Sequence, residues 1–323
     1  MKVIFNPQMK LLWHWDKISS WLKSNDTIPV LIEISPTNYC NANCPWCFYA
    51  GTHNGQGISK DVMIKTLSDM ASIGIKAISW TGGGEPTLHP DFNEFIEKAY
   101  KLGFAQGIFT NAFDYEKNHI DNPEYFEWIR ISLTEKYMDG IDKKLLAEYV
   151  QSKTPVGICM NLTRDNYDKA YEYAKQAKEL GLYYFQVRPA LEKSYKDQKD
   201  LPVPYKLKEL EDSKFKIFLS EYKFVDATQP KNYDICYGHY FCPVIDFNGD
   251  VNVCMYKLGQ EPYIFGNLYK QNFIDIWNSK KRKKIKASKL IDENCQVCCK
   301  NHEINKLLYH IKHPNRESNI DFI

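Results

Sequence analysis

The sequence predicts an α/β fold of parallel strands joined by crossover helices. Two observations carry this. Short apolar runs alternate with amphipathic helical stretches through six units between residues 30 and 190, and polar or glycine-rich segments follow the apolar runs rather than interrupting the helices. Right-handed crossovers wind such a chain into a barrel or a doubly wound sheet. In either case the chemistry belongs at the C-terminal ends of the strands.

The elements follow in order. Residues 1–29 form a helical approach, with Leu11, Leu12, Trp15, Ile18, Trp21 and Leu22 at helical spacing and Pro29 as its stop. Val30 to Ile34 is the first strand and runs into a cysteine loop. A helix from Lys60 to Ile73 ends at Gly74, and Ala77 to Trp80 is a strand that enters Gly82-Gly83-Gly84. A helix from Phe92 to Leu102 ends at Gly103, and strands follow at Gly107 to Thr110 and Trp128 to Leu133. A helix near Lys143 to Val150, a strand from Val156 to Asn161, a helix from Tyr167 to Leu180 and a strand from Tyr184 to Val187 complete the series. Pro202 and Pro204, after a charged stretch, mark a linker, so the expected organisation is 1–29, 30–200 and 201–323. Beyond it, Phe215 to Leu219, Val244 to Phe247 and Val251 to Met255 read as short strands. Asn248-Gly249-Asp250 is a hairpin turn, and a helix lies near Asn272 to Ile285.

Composition narrows the classes. Of the 323 residues, 44% are hydrophobic and 25% charged, which excludes a disordered or collagen-like chain. A net charge of +2 supplies no argument for a nucleic-acid partner. Lys280 to Lys286, with six basic residues in seven, reads as a solvated helix face. No apolar run approaches the roughly 18 residues of a membrane span. Met1 to Gln8 lacks the apolar core of a signal peptide, so a cytoplasmic location without a membrane partner is expected.

The ten cysteines carry the chemical signal. In a chain of this size without an export signal they point to metal ligands or catalytic groups rather than disulfides. Cys40, Cys44 and Cys47 form a Cys-x3-Cys-x2-Cys run on one loop, and Cys236, Cys242, Cys254, Cys295, Cys298 and Cys299 lie towards the C-terminus. Three thiolates on one loop can bind three irons of a [4Fe–4S] cube and leave the fourth open. Zinc, with His53 as a fourth ligand, is the alternative. Cys159, alone inside a strand, reads as a buried small hydrophobe.

The triplet, with Trp46 just before its last cysteine, resembles the signature of radical S-adenosylmethionine enzymes. Gly83-Gly84-Glu85-Pro86 resembles the family's Gly-Gly-Glu motif, which holds the methionine amino group. Thr110-Asn111 and Arg130-Ile131-Ser132-Leu133 resemble the endings of its third and fourth strands. Asn161 and Arg188 fall where members place further ribose and carboxylate contacts. The resemblance implies a partial (β/α)6 TIM-like barrel that binds one [4Fe–4S] cluster and S-adenosylmethionine. It also implies a radical reaction fed by a low-potential donor, a flavodoxin or ferredoxin.

Downstream, Cys236, Gly249 and Cys254 are spaced like the opening of SPASM and twitch extensions, and Cys295-x2-Cys298 resembles their closing pair. Phe265-Gly266-Asn267-Leu268 and Ile276-Trp277 resemble the segments between. The implied ligands of one auxiliary [4Fe–4S] cluster are Cys236, Cys254, Cys295 and Cys298. Cys242 is an alternative to Cys236, and a zinc site is the alternative chemistry. For the substrate, residues 1–29 are short for a peptide-recognition domain. The opening Lys10 to Trp15 and Trp21-Leu22, running into Glu33 to Pro36, resembles members tied to metabolite pathways. The expected substrate is therefore a small polar metabolite such as a sugar, cyclitol or nucleoside, undergoing oxidation or rearrangement. Modification of a peptide or protein is the second reading, and a non-catalytic metal- or RNA-binding protein the third.

Overall fold

Strand and helix formation follow the local chemistry closely. A computed structural model of the chain describes residues 6–47, 49, 53–190, 200–226, 229, 231–285, 290–291, 295 and 301–314. Two N-terminal helices, α1 (Pro7–Leu12) and α2 (Trp15–Ser24), precede β1 (Leu31–Ile34). Asn6 caps α1 by accepting the Met9 N–H at 3.0 Å, and Pro7 occupies the first helical position, where a missing N–H costs nothing. The barrel then runs α3 (Lys60–Ser72), β2 (Ala77–Trp80), α4 (Phe92–Lys101), β3 (Ala105–Thr110), α5 (Tyr115–Asn118), β4 (Trp128–Ser132), α6 (Lys143–Gln151), β5 (Val156–Leu162), α7 (Ala170–Glu179) and β6 (Tyr184–Pro189). Asp142 caps α6 through the Lys144 and Leu145 N–H groups.

β1 to β6 lie side by side in chain order and every pair is parallel, as the alternation predicts. One face of these strands, including Ile34, Trp80, Ile108, Ile131 and Met160, merges with Met63, Leu67 and Phe95 of the helices into the main core. That burial, at about 25 cal/mol per Å² of apolar surface, is the principal term holding the helices on the sheet.

After β6 the structure departs from the predicted pattern. β7 (Lys216–Leu219) pairs parallel with β6 as a seventh strand of the same sheet, and the short helix α8 (Glu221–Val225) follows. β8 (Val244–Ile245) and β9 (Asp250–Asn252) form the expected hairpin, with strands shorter than the apolar runs suggested. β8 also pairs parallel with β1, in the register Glu33↔Val244 and Ile34↔Ile245. β10 (Ile264–Asn267) completes an open ten-stranded sheet ordered β10-β9-β8-β1-β2-β3-β4-β5-β6-β7. The single helix expected near Asn272 to Ile285 is two, α9 (Phe273–Asn278) and α10 (Lys280–Lys284), separated by Ser279 in extended conformation (ψ 149°).

The solvated-face reading of the basic run is corrected at Arg282, which is buried. Its guanidinium stacks on Trp277 at 4.1 Å and pairs with both Asp26 carboxylate oxygens. Finally α11 (His302–Lys312) packs Leu308 with Leu11, Ile18, Trp21, Tyr237 and Phe241 in a second, smaller core. Among the described residues no helix is long and apolar enough to cross a membrane.

Candidate functional site

The cysteine loop leaves β1 at its C-terminal end. Asn38 and Thr37 hold its base: the Asn38 N–H and the Thr37 hydroxyl both donate to the Gln56 carbonyl, at 2.8 and 2.7 Å. Cys40, Cys44 and Cys47 are all half-buried, and the Cys47 N–H donates to the Cys44 carbonyl at 3.0 Å. Burial pushes the Cys40 thiol up to about 11. Burial and then the Glu135 carboxylate push Cys44 higher still. Holding these sulfurs as thiolates therefore calls for a cation beside them. Trp46 is buried, with its ring 6.0 Å from that of Tyr137 in the loop after β4. His53, the fourth ligand of the zinc alternative, donates from Nδ1 to the Asn38 carbonyl at 2.8 Å, which leaves Nε2 as its ligand atom.

The loop rests on the glycines after β2. A Cβ on Gly84 would lie 2.1 Å from the Tyr39 carbonyl oxygen and 2.5 Å from the Asn38 carbonyl carbon, so no other residue allows this approach. The Glu85 N–H then donates to the same Tyr39 carbonyl at 2.8 Å. Glu85 is only 3% exposed. One carboxylate oxygen accepts from the Thr87 hydroxyl at 2.8 Å, and the other accepts from the Asn111 N–H at 2.7 Å. Burial raises its pKa and these donors oppose the rise. Glu85 thereby ties the end of β2 to the end of β3.

Asn111 continues the connection. Its side-chain amide donates to Asn41 at 2.8 Å and reaches to 4.0 Å from the Cys40 sulfur. Asn118, fully buried, donates to the Thr87 hydroxyl at 2.7 Å and accepts from Asn41 at 3.1 Å. Asn41, Thr87 and Asn118 thus join the constellation without having been singled out in the sequence. Asparagine and threonine in loops read as turn caps, and only the fold shows that the three converge.

Ser132, Asn161 and Arg188 stand on three successive strands. Ser132 pairs with Cys159 across β4 and β5, and Asn161 pairs with Arg188 across β5 and β6. Arg188 donates from Nε to the Asn161 side-chain oxygen at 2.7 Å. Cys159 is buried.

A second site lies in the extension. One cavity is lined by Cys236, Cys242, Cys254 and Cys295, together with Glu33 from β1 and the buried Lys257. Burial raises the pKa of the Cys236 thiol, and the Asn305 side-chain amide, which donates to the sulfur at 3.5 Å, opposes the rise together with the His239 and Gly238 N–H groups. Cys242, an uncertain ligand by spacing, lines the same cavity. Cys298 and Cys299 lie outside the described residues. Four thiols from separate segments line this one cavity, and thiolate sulfur is the donor type of iron–sulfur cubes and of structural zinc. Asp226, His302 and Glu303 also approach within metal-ligand range of one another. Lys306 lies 3.1 Å from each of the two carboxylates and takes the cation's place, so this group is an ion-pair cluster.

Comparison with known families matches residues 34–189 to the radical SAM superfamily and residues 236–300 to the iron–sulfur cluster-binding SPASM domain. A curated relative is the tungsten-containing aldehyde ferredoxin oxidoreductase cofactor-modifying protein of Pyrococcus furiosus. It is 23% identical, with 76% of this chain and 80% of that protein covered. Among solved structures, SuiB of Streptococcus suis bound to S-adenosylmethionine has a TM-score of 0.64 at 19% identity, covering 86% of this chain and 72% of that one. The enzyme anSMEcpe with bound AdoMet gives 0.55 at 17% identity, covering 85% and 87%. At these identities the solved structures speak for the fold.

Proposed function

The chain belongs to the radical SAM superfamily and carries a SPASM iron–sulfur extension, and from that premise we propose that it modifies a peptide or protein. Membership implies a [4Fe–4S] cluster, S-adenosylmethionine and auxiliary cluster binding, an electron donor and a substrate. When bound in the Cys40, Cys44 and Cys47 loop, the cluster with S-adenosylmethionine would supply one-electron reductive cleavage of the sulfonium and, through it, hydrogen-atom abstraction from the substrate.

The chain's own residues have the positioning work. Cys40, Cys44 and Cys47 would hold the radical cluster, with Trp46 packed behind the loop. Gly83 and Gly84 let the loop come close, and Glu85 with Asn111 would fix the floor on which the methionine end sits. Glu85 already accepts from Thr87 and Asn111, so an arriving ammonium would share its remaining lone pairs. Ser132, Asn161 and Arg188 would orient the ribose and carboxylate. Cys236, Cys254 and Cys295, with Cys298, would hold the auxiliary cluster. A flavodoxin or ferredoxin would supply the electron.

The sequence leans towards a small polar metabolite, but the comparisons favour the peptide reading. The observation that carries it is the shared barrel-plus-extension architecture. SuiB is solved with its precursor peptide SuiA, and anSMEcpe with the Cp18Cys peptide, each aligned with at least 85% of this chain. PqqA peptide cyclase of Bradyrhizobium diazoefficiens is also 30% identical, over 26% of this chain. The test is anaerobic incubation of reconstituted protein, S-adenosylmethionine and dithionite with peptides encoded by the neighbouring genes, beside a panel of sugars, cyclitols and nucleosides. A peptide should gain a mass change in step with 5′-deoxyadenosine. Turnover of a metabolite, with every peptide unchanged, would overturn the reading.

A further inference from the structure

The β8–β9 hairpin delivers an aromatic ring from the extension to the cysteine-loop end of the barrel. Because β8 runs parallel to β1 in the register Glu33↔Val244 and Ile34↔Ile245, the segments that follow the two strands leave the sheet side by side. One is Ser35 to Cys40, and the other is Asp246 and Phe247. The Ser35 N–H donates to the Ile245 carbonyl at 2.9 Å, which keeps them together just beyond the paired residues. From there the Phe247 ring reaches the glycine loop. A Cβ on Gly83 would lie 3.0 Å from the ring's Cε1 and 3.1 Å from its Cδ1.

The ring is firmly presented. Asp246, 2% exposed, accepts the Asn248 and Asp250 N–H groups at 2.9 and 3.1 Å and the Asn252 amide at 3.0 Å, which rigidifies the turn. Asn267 on β10 donates to the Asn248 carbonyl at 3.0 Å and the Asp250 carboxylate at 2.8 Å. The Tyr269 hydroxyl accepts the Ser59 N–H at 2.8 Å and so fastens the same corner to the start of α3. Yet Phe247 remains half-buried and is absent from both apolar cores. A ring carried on a turn held this rigidly, close against Gly83 and still partly open, has the form of a pocket wall.

We propose that Phe247 forms one wall of the S-adenosylmethionine pocket, a cofactor contact supplied by the extension rather than by the barrel. This rests on the reading of Gly83 to Glu85 as the loop that receives the methionine end. An aromatic wall suits that end: the methionine side chain is apolar, and the sulfonium is a cation attracted to a ring face. It also makes one hairpin serve both sites, because Cys254 follows β9 directly.

The test is equilibrium binding of S-adenosylmethionine to anaerobically reconstituted protein, comparing wild type with Phe247→Leu, Phe247→Ala and Phe247→Tyr. Leu retains apolar volume over Gly83 and keeps the hairpin packed. Both Leu and Ala should weaken binding about tenfold, with Tyr within about threefold of wild type, and iron content and melting temperature held in Leu and Tyr. Wild-type affinity in the Leu and Ala variants would overturn the proposal and leave Phe247 as packing for the glycine loop. Failure of wild type itself to bind would overturn the reading of that loop, and the proposal with it.

Discussion

Two glycines separate lack of space from lack of backbone freedom. Gly103 follows α4 at φ +80°, and a Cβ there would meet nothing within 4 Å. Gly103→Ala should cost about 1 kcal/mol, the ordinary penalty for the left-handed region, and leave iron binding intact. At Gly84 the collision is with the backbone of the cysteine loop itself, so Gly84→Ala should strip iron from the radical site. Iron analysis of the two variants, in a background with the auxiliary cysteines intact, decides the matter. Equal iron in both would contradict the packing argument. Asp246 provides a pH test. Burial, and next the Asp250 carboxylate, push its pKa up to about 6. A raised folded-state pKa means that this group's stabilisation is complete below about pH 4 and is lost as pH rises through about 6. Between about pH 5 and about pH 7.5 wild type should therefore lose about 1–2 kcal/mol more than Asp246→Asn in denaturant unfolding. Parallel pH profiles would remove the assigned role. At this scale the sequence was legible where chemistry is local. The cysteine triplet, Trp46 and the glycine–glutamate stretch stand out in the sequence by residue type and spacing alone, and at Gly84 the structure supplies the close backbone approach that the spacing suggests. Asn118 was not legible: it lies 31 residues beyond Thr87 and acquires meaning only when α5 packs beside the end of β2.

At the scale of elements, the strands and long helices of the barrel were readable within a few residues, because apolar period and glycine stops agree. β10 was missed as a strand since Ile264–Asn267 is four residues long, contains Gly266 and joins β9 through a register shift. α11 was missed although Ile304, Leu307, Leu308 and Ile311 recur at helical spacing. The basic run misled because charge alone does not reveal which residue turns inward. Ser279 caps α10, and its one buried cation lies against Trp277 and Asp26. Asp26→Ala should therefore destabilise the protein by about 3–5 kcal/mol, since it leaves a guanidinium buried without its carboxylate. Arg282→Met, which removes the charge and keeps apolar bulk, should cost far less. Thermal unfolding of the pair checks this, and equal losses would mean that packing on Trp277, not the ion pair, fixes α10.

For the whole molecule, the question is whether two metal sites share one framework. The sheet runs without a break from β10 in the extension to β7 beyond the barrel, and Glu33 on β1 lines the auxiliary cavity. The cysteines that line this cavity come from the turn before β8, the segment after β9 and the approach to α11, so a cluster bound there would hold together the chain that caps the β1 edge. Metal binding of this kind is folding free energy. Protein with Cys40, Cys44 and Cys47 all replaced by Ala should accordingly retain about four irons, the content of one cube. Adding Cys254→Ala should remove them and loosen the region after β8, read as faster amide exchange there while β2 to β6 stay protected. Cys236→Ser should lose the auxiliary iron and Cys242→Ser should keep it, because Cys236 is the residue whose spacing resembles the extension's opening ligand, and its sulfur meets the Asn305 amide at 3.5 Å. The reverse result would move the ligand to Cys242. Zinc in place of iron in anaerobically prepared triple mutant would replace the auxiliary cluster by a structural metal site built from the same sulfurs.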